Sequence, residues 1–238
     1  MNPDIRTLIL YEDTHILVCH KPAGLPVQSA RVGTADMESL LKNHLASSRK
    51  KQAKSAAAPY LAVIHRLDQP VEGLLVFAKT PAAAKELNRQ LASSGFGKYY
   101  RATVTGTPEP PEGVLEDYLV KDGRINTSRV CEKSTPGAKL ARLSYHVEEV
   151  FRDASPVTSL VKIKLDTGRH HQIRVQMAHI GCPLAGDRKY GKYEKTDDGA
   201  PRDRKNTEPI KLCAYRLEFK HPATGKDMVF ELPPDKPI

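Results

Sequence analysis

The chain has 238 residues, with 37 Lys and Arg against 28 Asp and Glu and a net charge of +9. That length supports a sizeable core in one large domain or two small ones, and the basic balance makes a polyanion, nucleic acid first, the natural partner. No apolar run approaches the ~20 residues of a membrane span, and Met1-Asn2-Pro3-Asp4 does not begin like a signal peptide, so membrane binding explains the charge poorly.

In chain order, Thr7–Leu10 and His15–Cys19 read as strands joined by a turn at Glu12-Asp13. Lys21-Pro22-Ala23-Gly24-Leu25-Pro26 breaks regular structure. Met37, Leu40, Leu41 and Leu45 recur at helical spacing within residues 36–46. The basic, alanine-rich run from Ser47 to Ala58 reads as a mobile loop. Ala62-Val63-Ile64 leads as a strand into His65-Arg66-Leu67-Asp68, and Leu74–Ala78 forms the next strand. At Thr80-Pro81 a hydroxyl can cap free N–H groups and proline fits the first turn. The helix this predicts shows Ala84, Leu87 and Leu91 on one face and stops at Gly95 or Gly97.

Strand-like alternation then dominates. Tyr100, Ala102 and Val104 share one face, as do Ala141, Leu143, Tyr145 and Val147, and then Val161, Ile163 and Leu165. A helix carrying Ile173, Met177 and Ile180 ends at Gly181. Glu194–Glu208 reads as a polar loop. Tyr215, Leu217 and Phe219 pair with Met228, Phe230 and Leu232 in a terminal hairpin turning at His221–Gly225. Without regular βαβ alternation, the fold class is α+β with a largely antiparallel sheet. Cys19, Cys131, Cys182 and Cys213 have no paired spacing. That gives no support to a zinc knuckle or redox pair and suits a reducing, cytoplasmic setting.

Four residues carry most of the chemical suggestion. Asp68 in its loop is a turn former or a catalytic carboxylate. A metal site of His65 and Asp68 with His170, His171 and His179 lacks a second carboxylate or a cysteine in a recognised pattern. Arg174 either snorkels to the surface or forms a buried ion pair with a loop carboxylate, since guanidinium is always charged and forks onto two oxygens. Tyr100, with Lys98, Tyr99 and Arg101 beside it, suits a groove edge on which a base could stack. Arg66 is a surface arginine, a phosphate ligand, or the group that fills the gap left by a flipped base.

Together these segments resemble the RluA-type family of RNA pseudouridine synthases, over nearly the whole chain. The resemblance rests on His65-Arg66-Leu67-Asp68 with Gly73-Leu74-Leu75, on Lys98-x-Tyr100-x-Ala102, and on Leu165-x-Thr167-Gly168-Arg169-x-His171-Gln172-Ile173-Arg174-Val175 running to Gly186-Asp187-x-x-Tyr190-Gly191. Tyr11-Glu12-Asp13 through Lys21-Pro22-Ala23-Gly24, and Leu212, His221-Pro222 and Thr224-Gly225, extend it to both ends.

The resemblance implies a mixed, mainly antiparallel sheet with flanking helices and a central RNA-binding cleft. It implies a single catalytic domain over 1–238 without a separate N-terminal RNA-binding domain. The implied activity is isomerisation of uridine to pseudouridine in ribosomal or transfer RNA, with no cofactor and no metal; the cysteines point to the cytoplasm, and a monomer is the default expectation. It makes Asp68, Tyr100 and Arg174 catalytic, with Arg174 the partner of Asp68, and places Arg66, His65, Lys98, Arg169 and Leu212 on RNA. The alternative is a non-catalytic RNA-binding protein on the same scaffold. One departure stands out: many relatives follow the aspartate with a basic residue and then Thr-Ser, whereas this chain has Gln69-Pro70-Val71-Glu72-Gly73.

Overall fold

The computed structural model describes residues 4–31, 33–51, 58–93, 95–191 and 209–233, with 49–51 as backbone alone. The chain divides into two compact units, one of Met1–Gly97 and Ala214–Pro234, the other chiefly Lys98–Cys213. Most strand ladders described below are antiparallel, which with the few helices makes an α+β protein.

The first unit opens with a helical turn, α1 (Ile5–Leu8), where a strand over Thr7–Leu10 is expected from sequence. Asp4 accounts for the difference: its Oδ1 accepts from the backbone N–H of Arg6 at 3.1 Å and caps the turn. The strand β1 (Ile9–Glu12) pairs with β2 (Ile16–Lys21). Asp13 closes the turn between them, its Oδ1 accepting from His15 N and Ile16 N at 2.7 Å each. The helix α2 (Met37–Lys51) buries Met37, Leu41 and Leu45 as the spacing predicts, and it runs on through the segment expected to be a loop from Ser47. Residues 52–57 of that expected loop lie outside the described residues.

A short strand β3 (Ala62–Val63) and the long β4 (Glu72–Ala78) flank the Asp68 loop. The helix α3 (Pro81–Ala92) starts as its sequence dictates, with Thr80 Oγ1 accepting from Ala83 N at 3.2 Å. It stops at Ser93, whose N–H reaches the carbonyls of Arg89 and Gln90, before either expected glycine. The C-terminal hairpin of β10 (Leu212–Lys220) and β11 (Asp227–Glu231) pairs Leu217 with Phe230 and Phe219 with Met228. The strand order here is β1-β2-β4-β10, with β3 against β4 and β11 against β10. Most of β2 and β4 is buried, so both read as continuous apolar runs rather than alternations.

The second unit contains β5 (Gly97–Thr105), β6 (Glu112–Asp122), β7 (Thr127–Cys131), β8 (Lys139–Phe151) and β9 (Thr158–Leu165), in the order β5-β9-β8-β6-β7. Alternate residues Tyr100, Ala102 and Val104 of β5, Ala141 and Leu143 of β8, and Val161 and Ile163 of β9 are buried, as their period of two requires. The β6–β7 hairpin carries many charged residues and only weak apolar alternation, and no sequence signal announces it. The helix α4 (Gln172–His179) follows β9 and is buried from Gln172 through Met177. The polar loop expected over Glu194–Glu208 lies outside the described residues.

Candidate active site

The loop between β3 and β4 presents its residues by simple rules of burial. Ile64, Leu67 and Val71 are buried and anchor it, while Arg66 is exposed and Asp68 half-buried. Val71 N donates to the Asp68 carbonyl at 3.0 Å and tightens the turn. His65 is part of the anchoring: its Nε2 accepts from Val76 N at 3.4 Å and its ring meets Phe96 edge-on at 5.5 Å. This loop thus turns Arg66, Asp68 and Gln69 outward.

The other half of the anchor is Lys21, a residue to which sequence reasoning gives no role. Its side chain is fully buried. Its Nζ donates to three carbonyl oxygens, Leu25 at 2.7 Å and Pro22 and Gln69 at 3.0 Å. Gln69 is also tied to Gly24, whose N–H reaches the Gln69 carbonyl at 2.9 Å while the Gln69 amide donates to the Gly24 carbonyl at 3.0 Å. The residue after Asp68 is therefore stitched to the Lys21–Leu25 turn on both its backbone and its side chain. Burial pushes the Lys21 ammonium down to about 8, and the nearby charges of Asp68 and Glu72 act against that shift. The one hint in the sequence is a lysine ending an apolar strand just before Pro-Ala-Gly.

Gly73, the next glycine, is held by geometry. Its φ is +135°, and a Cβ built there would lie 2.5 Å from the backbone N and O of Ala214. No other residue fits so close an approach of β4 to β10.

In the second unit, Tyr100 on β5 is 6 % exposed, more enclosed than the groove edge expected from its neighbours. Lys98 lies on the same face and is also buried. Burial lowers its pKa, helped by the Arg169 charge and opposed by Asp166, so these three groups form one electrostatic cluster. Arg169 itself donates from Nε to the Leu140 carbonyl at 2.7 Å. Leu212, the first residue of β10, is buried.

Arg174, for which the resemblance implies Asp68 as partner, forms a buried ion pair with Asp187. Its Nε and Nη2 donate to the two oxygens of Asp187, each at 2.8 Å, with side chains 7 % and 0 % exposed. Asp187 also accepts from Lys189 N at 2.9 Å, and the guanidinium lies 5.2 Å from the centre of the Tyr190 ring. The histidines that raised a metal reading have other work. His170 Nδ1 meets Ser128 Oγ at 2.8 Å and its Nε2 meets Asn126 Oδ1 at 3.1 Å. His171, in the left-handed region at φ 54°, reaches Tyr190 Oη at 2.7 Å, and His179 lies 3.2 Å from Asp117. Among the described residues, no three His, Cys, Asp or Glu side chains are grouped to hold a metal ion.

Of the site residues expected from sequence, His65, Arg66 and Asp68 share one loop of the first unit. Lys98 and Tyr100 share one face of β5, with Arg169 in electrostatic reach of Lys98. Lys21 and Asp187 were missed as positioning groups, although both fall inside recognisable motifs.

Comparison with known proteins agrees with these features. A family model described as RNA pseudouridylate synthase matches residues 15–179. The chain is 35 % identical over 236 residues to "Ribosomal large subunit pseudouridine synthase D" of Vibrio cholerae, covering 97 % of this chain and 68 % of that protein. It is 36 % identical over 229 residues to "Dual-specificity RNA pseudouridine synthase RluA" of Salmonella typhimurium, covering 96 % and 93 %. In fold it is similar to the solved structure of "Human RNA Pseudouridylate Synthase Domain Containing 4", with a TM-score of 0.73 at 23 % identity over 96 % of this chain and 88 % of that one. With a loop aspartate braced by a buried lysine, and sequence similarity running nearly end to end, the chain belongs to the RNA pseudouridylate synthase family and is an isomerase that acts on RNA.

Proposed function

We propose that this chain converts specific uridines of ribosomal or transfer RNA to pseudouridine, with Asp68 as the reacting carboxylate. The observation that carries the reading is the bracing of the Asp68 loop by a fully buried ammonium at the adjacent Gln69 carbonyl. A protein that only binds RNA gains little from a carboxylate held so firmly, because that carboxylate would face phosphate.

The target base must leave its stack to reach the enzyme, and exposed Arg66 is suited to fill the space it vacates. Asp68 then breaks the glycosidic bond, by attack on the sugar or the base or by taking a sugar proton. The freed uracil turns and rejoins through carbon 5, which gives up its hydrogen as a proton, while ring nitrogen 1 gains a proton and Asp68 is returned to the free carboxylate. Tyr100 stacks on the ring, and Arg174 is the charge partner that keeps the reacting carboxylate ionised. His65, Lys98, Arg169 and Leu212 complete the RNA contacts, with the two units serving one catalytic domain. The atoms of substrate and product are the same, so the reaction itself calls for no redox partner.

We assign the protein to the cytoplasm as a monomer. None of its described helices is long and apolar enough to cross a membrane, and its net charge of +9 suits an RNA partner. The relatives' names point to the large ribosomal subunit and to dual specificity. Mapping pseudouridines in total RNA with and without the gene tests the proposal. A discrete set of positions in ribosomal or transfer RNA should be lost; an unchanged map would overturn it.

A further inference from the structure

Lys98 is a buried cation of the second unit to which the fold gives no partner. The residue is 7 % exposed. Among the described residues it makes no hydrogen bond and no ion pair. Lys21 shows the contrast: just as hidden, it gives its ammonium to three carbonyl oxygens. A buried ammonium with neither hydrogen bonds nor an ion-pair partner is costly, and so calls for an explanation outside the fold itself.

The course of the side chain shows where a ligand would enter. Lys98 stands near the start of β5, its stem hidden on the same face as Tyr100. Its Nζ ends at the segment 166–169 that follows β9, where a Cβ built on Gly168 would lie 3.4 Å from it. Gly168 and Arg169 are both exposed. The ammonium thus lies beneath an open turn, and the glycine sets no side chain over it.

The charge at this turn is positive. Arg169 is rooted by its backbone N–H, which donates to Gln172 Oε1 at 3.0 Å, and by its Nε, which donates to the Leu140 carbonyl at 2.7 Å. Among the described residues its outer guanidinium nitrogens have no partner. The acid of the same segment, Asp166, is engaged by Arg142, whose Nε donates to it at 3.2 Å. Burial lowers the Lys98 pKa and the Arg169 charge lowers it further, with Asp166 acting against both.

An open guanidinium edge beside an ammonium suits an anion with several oxygens in a compact group, and RNA presents that group along its backbone. We propose that Lys98 and Arg169 together hold one backbone phosphate of the RNA. This rests on the chain acting on RNA and deepens that reading, because it places both side chains on phosphate and neither on uracil. Lys98 and Tyr100 are two residues apart on one face, about 6–7 Å along the strand. A base stacked on Tyr100 would bring the phosphate of its own nucleotide within reach of the ammonium.

The test titrates the full-length protein with RNA from cells lacking the gene, between about 50 and about 200 mM salt. Each phosphate neutralised contributes about 0.7–0.9 to the slope of log affinity against log salt. Lys98→Met should weaken binding about ten-fold at the lower salt and flatten the slope by about one phosphate. Arg169→Gln should do the same. The double variant should lose little more than either single one, because both side chains serve one phosphate. Without RNA, Lys98→Met should melt above the wild type, since it removes a charge that the fold leaves unsatisfied.

Wild-type affinity and slope in Lys98→Met would overturn the proposal. So would slowed pseudouridine formation at an unchanged slope, which would put Lys98 on the uracil. Single effects that add in full would mean two separate phosphates and defeat the shared site. A lower melting temperature for Lys98→Met would mark a lysine that serves the fold, and would also count against it. If Lys98→Met fails to fold, Lys98→Gln is read in the same way. No pseudouridine formed in this RNA by the wild type would instead defeat the assignment of function, so the two failures are distinct.

Discussion

Lys21 donates from Nζ to the carbonyl oxygen of Gln69 at 3.0 Å, one residue beyond Asp68, from a side chain with no solvent exposure. This bond links the end of β2 to the loop that carries Asp68.

Lys21→Met removes that brace while preserving the stem of the side chain. It leaves the carbonyls of Pro22, Leu25 and Gln69 without their shared donor. Misplacing a catalytic group by about 1 Å can cost on the order of 100-fold in rate, so kcat should fall by about that much, with KM little changed. The wild type should also lose activity as pH rises through about 8, the value to which burial pushes Lys21. Stability should not fall with it. A depressed lysine contributes more to stability above its ordinary value of 10.5 and less as pH drops through about 8, so deprotonation relieves the fold. Thermal melts alongside rates across that range check both signs.

Arg174→Ala should be severe for a different reason. Truncation strands the fully buried Asp187 carboxylate without its fork of two 2.8 Å hydrogen bonds. Breaking a buried pair from one side costs about 3–5 kcal/mol. Arg174→Lys keeps the charge but loses the second bond, and denaturant melts should place it between alanine and wild type.

Gly73→Ala asks for a Cβ 2.5 Å from the backbone of Ala214, at a φ of +135°. Neither atom it meets belongs to a movable side chain. The strain alone is worth about 1–3 kcal/mol, and the β4–β10 approach should open to relieve the clash. Lower melting temperature and lower kcat should appear together, because the same rung leads into the Asp68 loop.

Acid should loosen the first unit at Asp13. His221 accepts at Nδ1 from Ala223 N and Thr224 N, so its Nε2 carries the proton that it donates to Asp13 Oδ2 at 2.8 Å. Burial raises the Asp13 pKa, but the backbone donors Ile16 and His15 and the side chains of His221 and Tyr11 outweigh it and hold it below its ordinary value of 3.8. The stability it contributes is complete above that value and is lost as pH falls through the lowered one. In Asp13→Asn, stability should depend less on pH in that range, as melts in acid would show.

Much of this was legible in the sequence where local rules decide. Thr80-Pro81 starts α3 because a hydroxyl cap and a donor-free residue are what a helix start requires. The alternation of Tyr100, Ala102 and Val104 forecast the buried face of β5. The turn at Thr7 and Leu8 was missed because a single capping carboxylate outweighed apolar character. The β6–β7 hairpin was missed because exposed strands need not alternate. The partners of Lys21 and Arg174 were out of reach for a deeper reason. They are set by which backbone carbonyls and carboxylates the fold brings into a dry interior, as with Lys21 and Gln69, 48 positions apart.

The central claim is that the Asp68 carboxylate performs the chemistry. Asp68→Asn keeps the size of the side chain and removes its charge, so purified variant should bind RNA as the wild type does and form no pseudouridine, with no tritium released from 5-tritiated uridine. Turnover by that variant at the wild-type rate would contradict the account.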